Sequence, residues 1–401
     1  MAIKAGQILH DVNGFVIDRI QSAGVGNVNI PEEKIYELGN YQTVATVRDI
    51  PDLSFDMESF DVTTEVEAIL TGVDPTAVVD GDQFDFADVK PIDVISPFKT
   101  GGGVFTIVKG IAIPYLNLES ATYRFGVGQN ATQSFTLRGD GIYYIPGTPK
   151  FEEFVNSGPI TYNFAQTALE YVEAGDSIYA LSICLKDTNS NAYKRLFIGQ
   201  DYTNTASGFT LLEDLSLTYN RIHEGYGTAA ANSYPQTVHE NVSTKPAAVR
   251  GKDIDVYLSD LASTPTFNRW TGVQSFEITR QVNLENDQEM GNSKNVASDY
   301  DTADVTGSIV VKSTDAADLW DKIQQVSDIA ANKIVGPYTS VTIPMEVRVS
   351  DPDTGLVVKT FYVPDARFTV PGIQGQVQQK LETTFNFTSD GGELLLYAGE
   401  R

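Results

Sequence analysis

The feature of this 401-residue sequence that most constrains its fold is an internal repeat. Residues 111–141 align without a gap with residues 361–391, at an offset of 250. Six of these positions are identical, where about two identities are expected by chance at ordinary composition. The identical residues are Pro114, Val127, Gln129, Phe135, Asp140 and Gly141, which match Pro364, Val377, Gln379, Phe385, Asp390 and Gly391.

A second block repeats in the same order. Residues 37–59 align with residues 289–311 at an offset of 252, and Ile20-Gln21-Ser22 resembles Val273-Gln274-Ser275 just upstream. The identities are Glu37, Gly39, Asn40, Val44, Ala45, Asp49 and Asp52 with Glu289, Gly291, Asn292, Val296, Ala297, Asp301 and Asp304. The sequence therefore predicts two copies of one unit, residues 1–148 and 250–401. A central β-rich insertion and linker, residues 149–249, separates them.

Both copies show the pattern of antiparallel strands with one buried and one solvated face. Apolar and polar residues alternate with a period of two, as where Phe385 and Phe387 alternate with Thr384 and Asn386. Helical pattern is confined to two short stretches, Thr63 to Leu70 and Ser313 to Val326, which fall at matching places in the two copies. We therefore expect a mainly-β fold, with two tandem β-sandwich or barrel domains, each flanked by a short helix.

The charge of the chain limits what it binds. Lys and Arg number 28 and Asp and Glu number 53, which gives a formal net charge of −25. Tight wrapping of nucleic acid needs Lys and Arg, and docking on an anionic membrane does too, so neither is expected. The single cysteine, Cys184, forms no intrachain disulfide and no cysteine-rich zinc site. No stretch is apolar enough for a signal peptide or a membrane span, so we expect synthesis and folding in a reducing cytosol.

The residue types that commonly act in catalysis or bind metals do not form a catalytic or metal-binding motif in this sequence. His10, His223 and His239 lie far apart, and none belongs to a metal-binding motif. The glycine clusters at 101–103 and 126–128 lack the Lys and Ser or Thr of a phosphate-binding loop. We therefore expect no enzymatic activity, no metal and no cofactor.

The order of elements resembles the tail tube proteins of tailed bacteriophages. In the first copy the resemblance lies in IQS, YELGN, VATVRDIPDLSFDM, a helix and TYRFGVGQNATQSFTLRGDG. In the second copy it lies in VQSFEITRQVNLENDQEMGN, VASDYDTADVTGSIVV, a helix and YVPDARFTVPGIQGQVQQKLETTFNFTSDGG. It covers both copies but not residues 149–249, and it rests on element order and strand patterning.

The resemblance implies a structural protein of the virion. In that family each domain is a small β-sandwich with a flanking helix, six domains form a ring, and stacked rings form the tail tube through which the genome is delivered. A chain with two domains would then form rings of three subunits. The implied partners are further copies of the chain and the tape measure, tail terminator and baseplate or hub proteins, with a sheath protein if the tail contracts. DNA would pass without specific binding, because acidic walls repel it.

Two sets of residues are candidates for these roles. The inter-ring stacking loops are predicted to contain Glu37, Leu38, Gly39 and Asn40 in the first copy and Glu289, Met290, Gly291 and Asn292 in the second. A local turn with positive φ at the two glycines explains this match equally well. The lumen-facing candidates are Glu382, Thr384 and Asn386.

Other functions stay open at this point. A phage baseplate hub or distal tail protein would form one ring instead of a polymer. A surface or adhesion protein with tandem β-sandwiches would carry a secretion signal. An enzyme on a β-sandwich scaffold would need convergent catalytic groups.

Overall fold

The computed structural model describes the chain in segments. These are residues 11–13, 15–17, 19–38, 42–60, 63–86, 89–100, 106–146, 148–155, 161–164, 168, 171–173, 176–178, 180–187, 193–213, 219–228, 249–259, 266–288, 294–295, 297–312, 342–369 and 382–401. Large antiparallel sheets dominate them, so the prediction of a mainly-β fold is confirmed. No helix in these segments is long and apolar enough to cross a membrane.

The first repeat consists of β1–β11 with α1. Its elements are β1 (Asp11–Val12), β2 (Phe15–Val16), β3 (Ile20–Asn29), β4 (Glu32–Tyr36), β5 (Thr43–Arg48), β6 (Asp52–Ser59), α1 (Glu65–Leu70), β7 (Gln83–Asp85), β8 (Ile92–Thr100), β9 (Thr106–Gly126), β10 (Thr132–Gly139) and β11 (Tyr143–Ile145). The helix predicted over Thr63 to Leu70 is present as α1, which buries Val66, Ile69 and Leu70.

The second repeat consists of β21–β28. It starts with a 3-10 turn (Gly251–Asp253), followed by β21 (Ile254–Ser259), β22 (Phe267–Trp270), β23 (Val273–Asp287), β24 (Ala297–Lys312), β25 (Thr342–Ser350), β26 (Val357–Phe368), β27 (Glu382–Ser389) and β28 (Leu395–Ala398). The helix predicted over Ser313 to Val326 lies outside the described residues.

The central segment carries β12–β20. They are β12 (Thr148–Val155), β13 (Thr161–Asn163), β14 (Tyr171–Glu173), β15 (Asp176–Ile178), β16 (Ala180–Asp187), β17 (Tyr193–Arg195), β18 (Tyr202–Thr205), β19 (Gly208–Leu211) and β20 (Tyr219–Thr228). A separate small core around Phe209, Ile183 and Leu185 holds it together. The domain limits drawn from the sequence at 148 and 249 stay a prediction.

The two repeats share one pairing scheme. Phe135 of β10 lies opposite Met57 of β6, and Phe385 of β27 lies opposite Ile309 of β24, which reproduces the sequence offsets of 250 and 252. The irregularity in β3 at Ile20 likewise recurs in β23 at Val273. Strands β1, β2, β3, β6, β8, β9, β10 and β11 thus correspond to β21, β22, β23, β24, β25, β26, β27 and β28.

One hydrophobic core runs through both repeats. Alternate residues of each strand point into it, because successive side chains of a strand face opposite sides of the sheet. Phe385 and Phe387 are buried while Thr384 and Asn386 are exposed. Tyr123 of the first repeat packs edge-on against Phe361 of the second, with ring centroids 4.7 Å apart. The repeats therefore share their core instead of forming two separate ones.

The equivalence of the repeats predicts matched costs of core truncation. Phe135→Ala and Phe385→Ala should each lower the free energy of unfolding by about 3–5 kcal/mol, because each removes a fully buried ring. Denaturant titration of the unassembled protein measures this. The control Thr384→Ala, on the exposed face of β27, should change it by less than about 0.5 kcal/mol. A loss below about 1 kcal/mol for either phenylalanine would contradict equivalent core roles.

Candidate functional site

The described part of the first candidate stacking loop directly follows one strand of an exposed hairpin. We call this hairpin, β4 with β5, the arm; its strands pair with each other and with no other described strand. Glu37 and Leu38 follow β4 and are exposed. Gly39 and Asn40 lie outside the described residues, as do Glu289, Met290, Gly291 and Asn292.

The arm exposes apolar side chains. Ile35 is 43% exposed, Tyr36 61% and Val44 46%, and Leu38 is fully exposed. A two-stranded hairpin is marginally stable alone, and clustered exposed apolar side chains mark an interaction surface. The arm therefore presents exposed apolar side chains of the kind that interaction surfaces carry.

The counterpart of the arm in the second repeat contacts the first repeat at its base. Leu284 pairs with Tyr300 as Glu32 pairs with Arg48, so the outer parts of β23 and β24 correspond to β4 and β5. The Tyr300 hydroxyl donates to Asn117 Oδ1 of the first repeat at 3.4 Å.

Proline separates the arm from the body of the first repeat. Pro31 and Pro51 interrupt the strands there, whereas Asn283 and Ala303 occupy the corresponding places in β23 and β24, which continue through a register shift between Val282 and Leu284. A proline lacks the N–H that a strand ladder needs, so β3–β4 and β5–β6 each break at this level.

The two repeats meet along what we call the seam. Its first part is antiparallel pairing between β9 and β23, from Gly126 opposite Ser275 to Ser120 opposite Gln281. Across it the hydroxyls of Thr122 and Thr279 lie 3.0 Å apart. Its second part is pairing of β7 with β28. The two repeats therefore form one continuous sheet, joined edge to edge.

A buried ion pair forms the third part of the seam. The Lys359 ammonium of β26 bonds the Glu67 carboxylate of α1, and the two side chains are 1% and 0% exposed. Lys359 also donates to Gln133 Oε1 at 3.2 Å. Burial, with the neighbouring Glu67 carboxylate, raises the pKa of Tyr123 well above its ordinary value, so the phenol stays protonated and donates to Glu67 Oε1 at 2.8 Å. Three first-repeat side chains thus hold one second-repeat lysine.

The candidate lumen residues lie on the exposed polar face of the continuous sheet. Glu382, Thr384 and Asn386 share one face of β27, and pairing extends this face through Ser308 and Glu277 to β9, β10 and β6. In the described part of this face the acidic side chains outnumber the basic ones: Asp52, Asp56, Glu58, Glu277, Asp304 and Glu382 stand against Arg124, Arg138 and Lys312. Whether this face lines a lumen stays a prediction.

The seam has an open counterpart on the first repeat. Strand β3 corresponds to β23 but pairs only with β6 among the described strands. Phe276 and Ile278 of β23 are buried, whereas Ala23 and Val25 at the corresponding positions of β3 are only half-buried. Tyr144 is 76% exposed where its counterpart Leu396 is fully buried. The first repeat therefore exposes the surface that the second repeat buries.

A buried arginine fixes the central segment to both repeats. Arg195 of β17 donates to Asp140 Oδ2 at 2.6 Å, and both side chains are buried. The same carboxylate oxygen accepts the backbone N–H of Asn295 at 2.8 Å. Neither this site nor the Lys359 cluster was predicted from the sequence. For the latter a signal existed, since Lys109 and Lys359 are identical at the repeat offset of 250, just upstream of the aligned block.

Known proteins show little similarity to this chain. No protein-family model and no curated protein matches the sequence. Among solved structures, a chain of the anti-feeding prophage baseplate, determined by cryo-EM and six-fold symmetrised, is similar at 12% identity with a TM-score of 0.27. The similarity covers 36% of this chain and 92% of that one. At this level the similarity supports no conclusion about function.

The ion pair of the seam predicts a large stability effect. Lys359→Met should lower the free energy of unfolding by about 3–5 kcal/mol, because it leaves the Glu67 carboxylate buried without a counter-charge. The double variant Lys359→Met/Glu67→Leu should recover much of this loss, since no buried charge is left. Denaturant titration measures both.

The ion pair of the exposed Arg269 with the half-buried Asp255 provides the control. Arg269→Met should cost less than about 1 kcal/mol, because the Arg269 side chain is 61% exposed. A loss from Lys359→Met as small as that of the control would contradict the role given to the cluster.

Proposed function

We propose that this chain is a structural protein of a phage tail that assembles edge to edge into rings, and that the rings stack into the tail tube. The observation that carries the proposal is the β9–β23 pairing, which joins two copies of one unit within the chain, while the equivalent edge, β3, pairs only with β6 among the described strands. The role requires no catalytic group, metal or cofactor.

The physical argument starts from the open edge. Unpaired backbone N–H and C=O groups on an edge strand favour pairing with another strand. The seam is a head-to-tail contact, since one edge of the unit meets a different edge of its copy. Repetition of such a contact generates either a closed ring or an open filament. A second chain that adds to β3 would continue the sheet already formed inside the first.

The number of subunits comes from the resemblance to tail tube proteins. Each chain contributes two units, so a ring of six units needs three chains. In such a ring the polar face with Glu382, Thr384 and Asn386 would line the channel. Its acidic excess would keep DNA from binding as it passes.

The remaining partners follow from the same resemblance. A tape measure protein would occupy the channel before DNA passage, a terminator and a baseplate or hub protein would close the two ends, and a contractile tail would add a sheath. The protein would be located in the virion.

Electron microscopy of the purified protein at high concentration tests the proposal. The expected result is hollow tubes of stacked rings. Single rings that never stack would indicate a hub or distal tail protein instead, and monomers at every concentration would overturn self-assembly altogether.

The exposed arm gives the sharper prediction. Deletion of most of residues 33–46 should leave a folded, soluble protein that no longer polymerises, because it removes the exposed apolar side chains that stacking is proposed to bury. Negative-stain images and the melting temperature are the two readouts. Leu356→Ser, which alters an exposed apolar residue outside the arm, is the control and should form normal tubes.

The competing local role of the arm makes the opposite forecast. If residues 37–40 serve only a turn, the deletion lowers the melting temperature but leaves tubes intact. Normal tubes from the deleted protein would therefore end the assembly role of the arm.

A further inference from the structure

Two lysines occupy the same backbone position in the two repeats. Lys109 of β9 lies opposite Phe98 of β8, and Lys359 of β26 lies opposite Val349 of β25. Lys359 lies 250 positions after Lys109, and Val349 lies 251 positions after Phe98, so the two pairs occupy equivalent places in the two repeats. The two lysine side chains are therefore attached at equivalent backbone positions of the two repeats.

Their surroundings differ completely. Lys359 is buried, and its polar partners belong to the neighbouring repeat: the Glu67 carboxylate and the Gln133 amide oxygen, with the Tyr123 ring centroid 4.9 Å from the ammonium. Lys109 is exposed. The difference arises from the neighbour, because the second repeat has the first repeat against this surface and the first repeat has no described segment there.

A position near Lys109 is likewise exposed in the first repeat where its counterpart in the second repeat is buried. Tyr144 lies opposite Ile111, two residues from Lys109, and is exposed where Leu396 is buried. The open edge of β3 corresponds to the paired edge of β23. All three features lie on the first repeat and correspond to parts of the seam, so they form one surface that fits one kind of neighbour, a second repeat.

We propose that Lys109 is the buried cation of the junction between chains, where it binds a carboxylate of a second copy as Lys359 binds Glu67 within the chain. The second copy offers a matching oxygen, because the buried Thr383 occupies the position that Gln133 has in the first repeat. An ammonium group has three donors, and a carboxylate with a hydroxyl satisfies two of them. This inference rests on the proposed self-assembly and names the residue that makes it specific.

Substitution of Lys109, with a matched control variant, tests this inference. Lys109→Met should raise the protein concentration needed for half-maximal assembly at least tenfold, measured by sedimentation velocity, because the partner carboxylate is left buried and unpaired. The melting temperature of the unassembled chain should not change, since Lys109 is exposed there. The control Lys194→Met removes an equal charge from the central segment, where the side chain is 48% exposed, and should assemble like the unmodified protein.

Chemical footprinting provides a readout that does not depend on a variant. Acetylation by an activated ester should modify Lys109 at least tenfold more slowly in the assembled protein than in the unassembled one, while Lys194 should react equally in both. Equal assembly of Lys109→Met and the unmodified protein, equal weakening of both variants, or undiminished acetylation of Lys109 in the assembly would each overturn the inference and leave self-assembly standing. An unmodified protein that never assembles would overturn both.

Discussion

The pairing of β9 with β23 is the contact on which the rest of the structure depends. A duplicated β unit has two options for its edges: to block them or to use them. In this chain an edge of one repeat pairs with an edge of the other. The two repeats therefore share a sheet and a core in which Tyr123 and Phe361 are in direct contact. Because the repeats are joined head to tail, the outer edge of β3 has no partner among the strands that the structure describes. The β9–β23 pairing thus forms one complete junction inside the chain, and the corresponding edge of the first repeat, β3, is the one proposed to pair with a second chain.

The buried Lys359–Glu67 pair complements this sheet contact. Backbone pairing alone tolerates a slip of two residues along the edge, because such a slip restores the N–H and C=O pairing and keeps each side chain on its face. A buried lysine meets its carboxylate, the Gln133 amide and the Tyr123 ring in one register only, and a slip would leave charges buried without partners. We infer that the ion pair contributes less to net stability than to the choice of register.

Much of the fold within a repeat could be predicted from the sequence, because its signals are local. Alternation placed Phe385 and Phe387 inside, and the match of Ile20-Gln21-Ser22 to Val273-Gln274-Ser275 agrees with the observed strand pairing. The seam could not be predicted, since a repeat shows that two units are alike but not which edges meet. The matched Asp140 and Asp390 illustrate the limit: one binds the buried Arg195 and the other the exposed Arg367, and only tertiary packing decides between them.

The number of chains in the smallest closed assembly tests the central claim most directly. If the open edge of the first repeat takes the second repeat of another chain, a closed ring contains two units per chain, and a sixfold arrangement of units needs three chains. Native mass spectrometry of rings released from tubes measures this number without reference to any image. The account predicts three chains per ring. Rings of six chains would contradict it, because each chain would then supply only one unit to the wall.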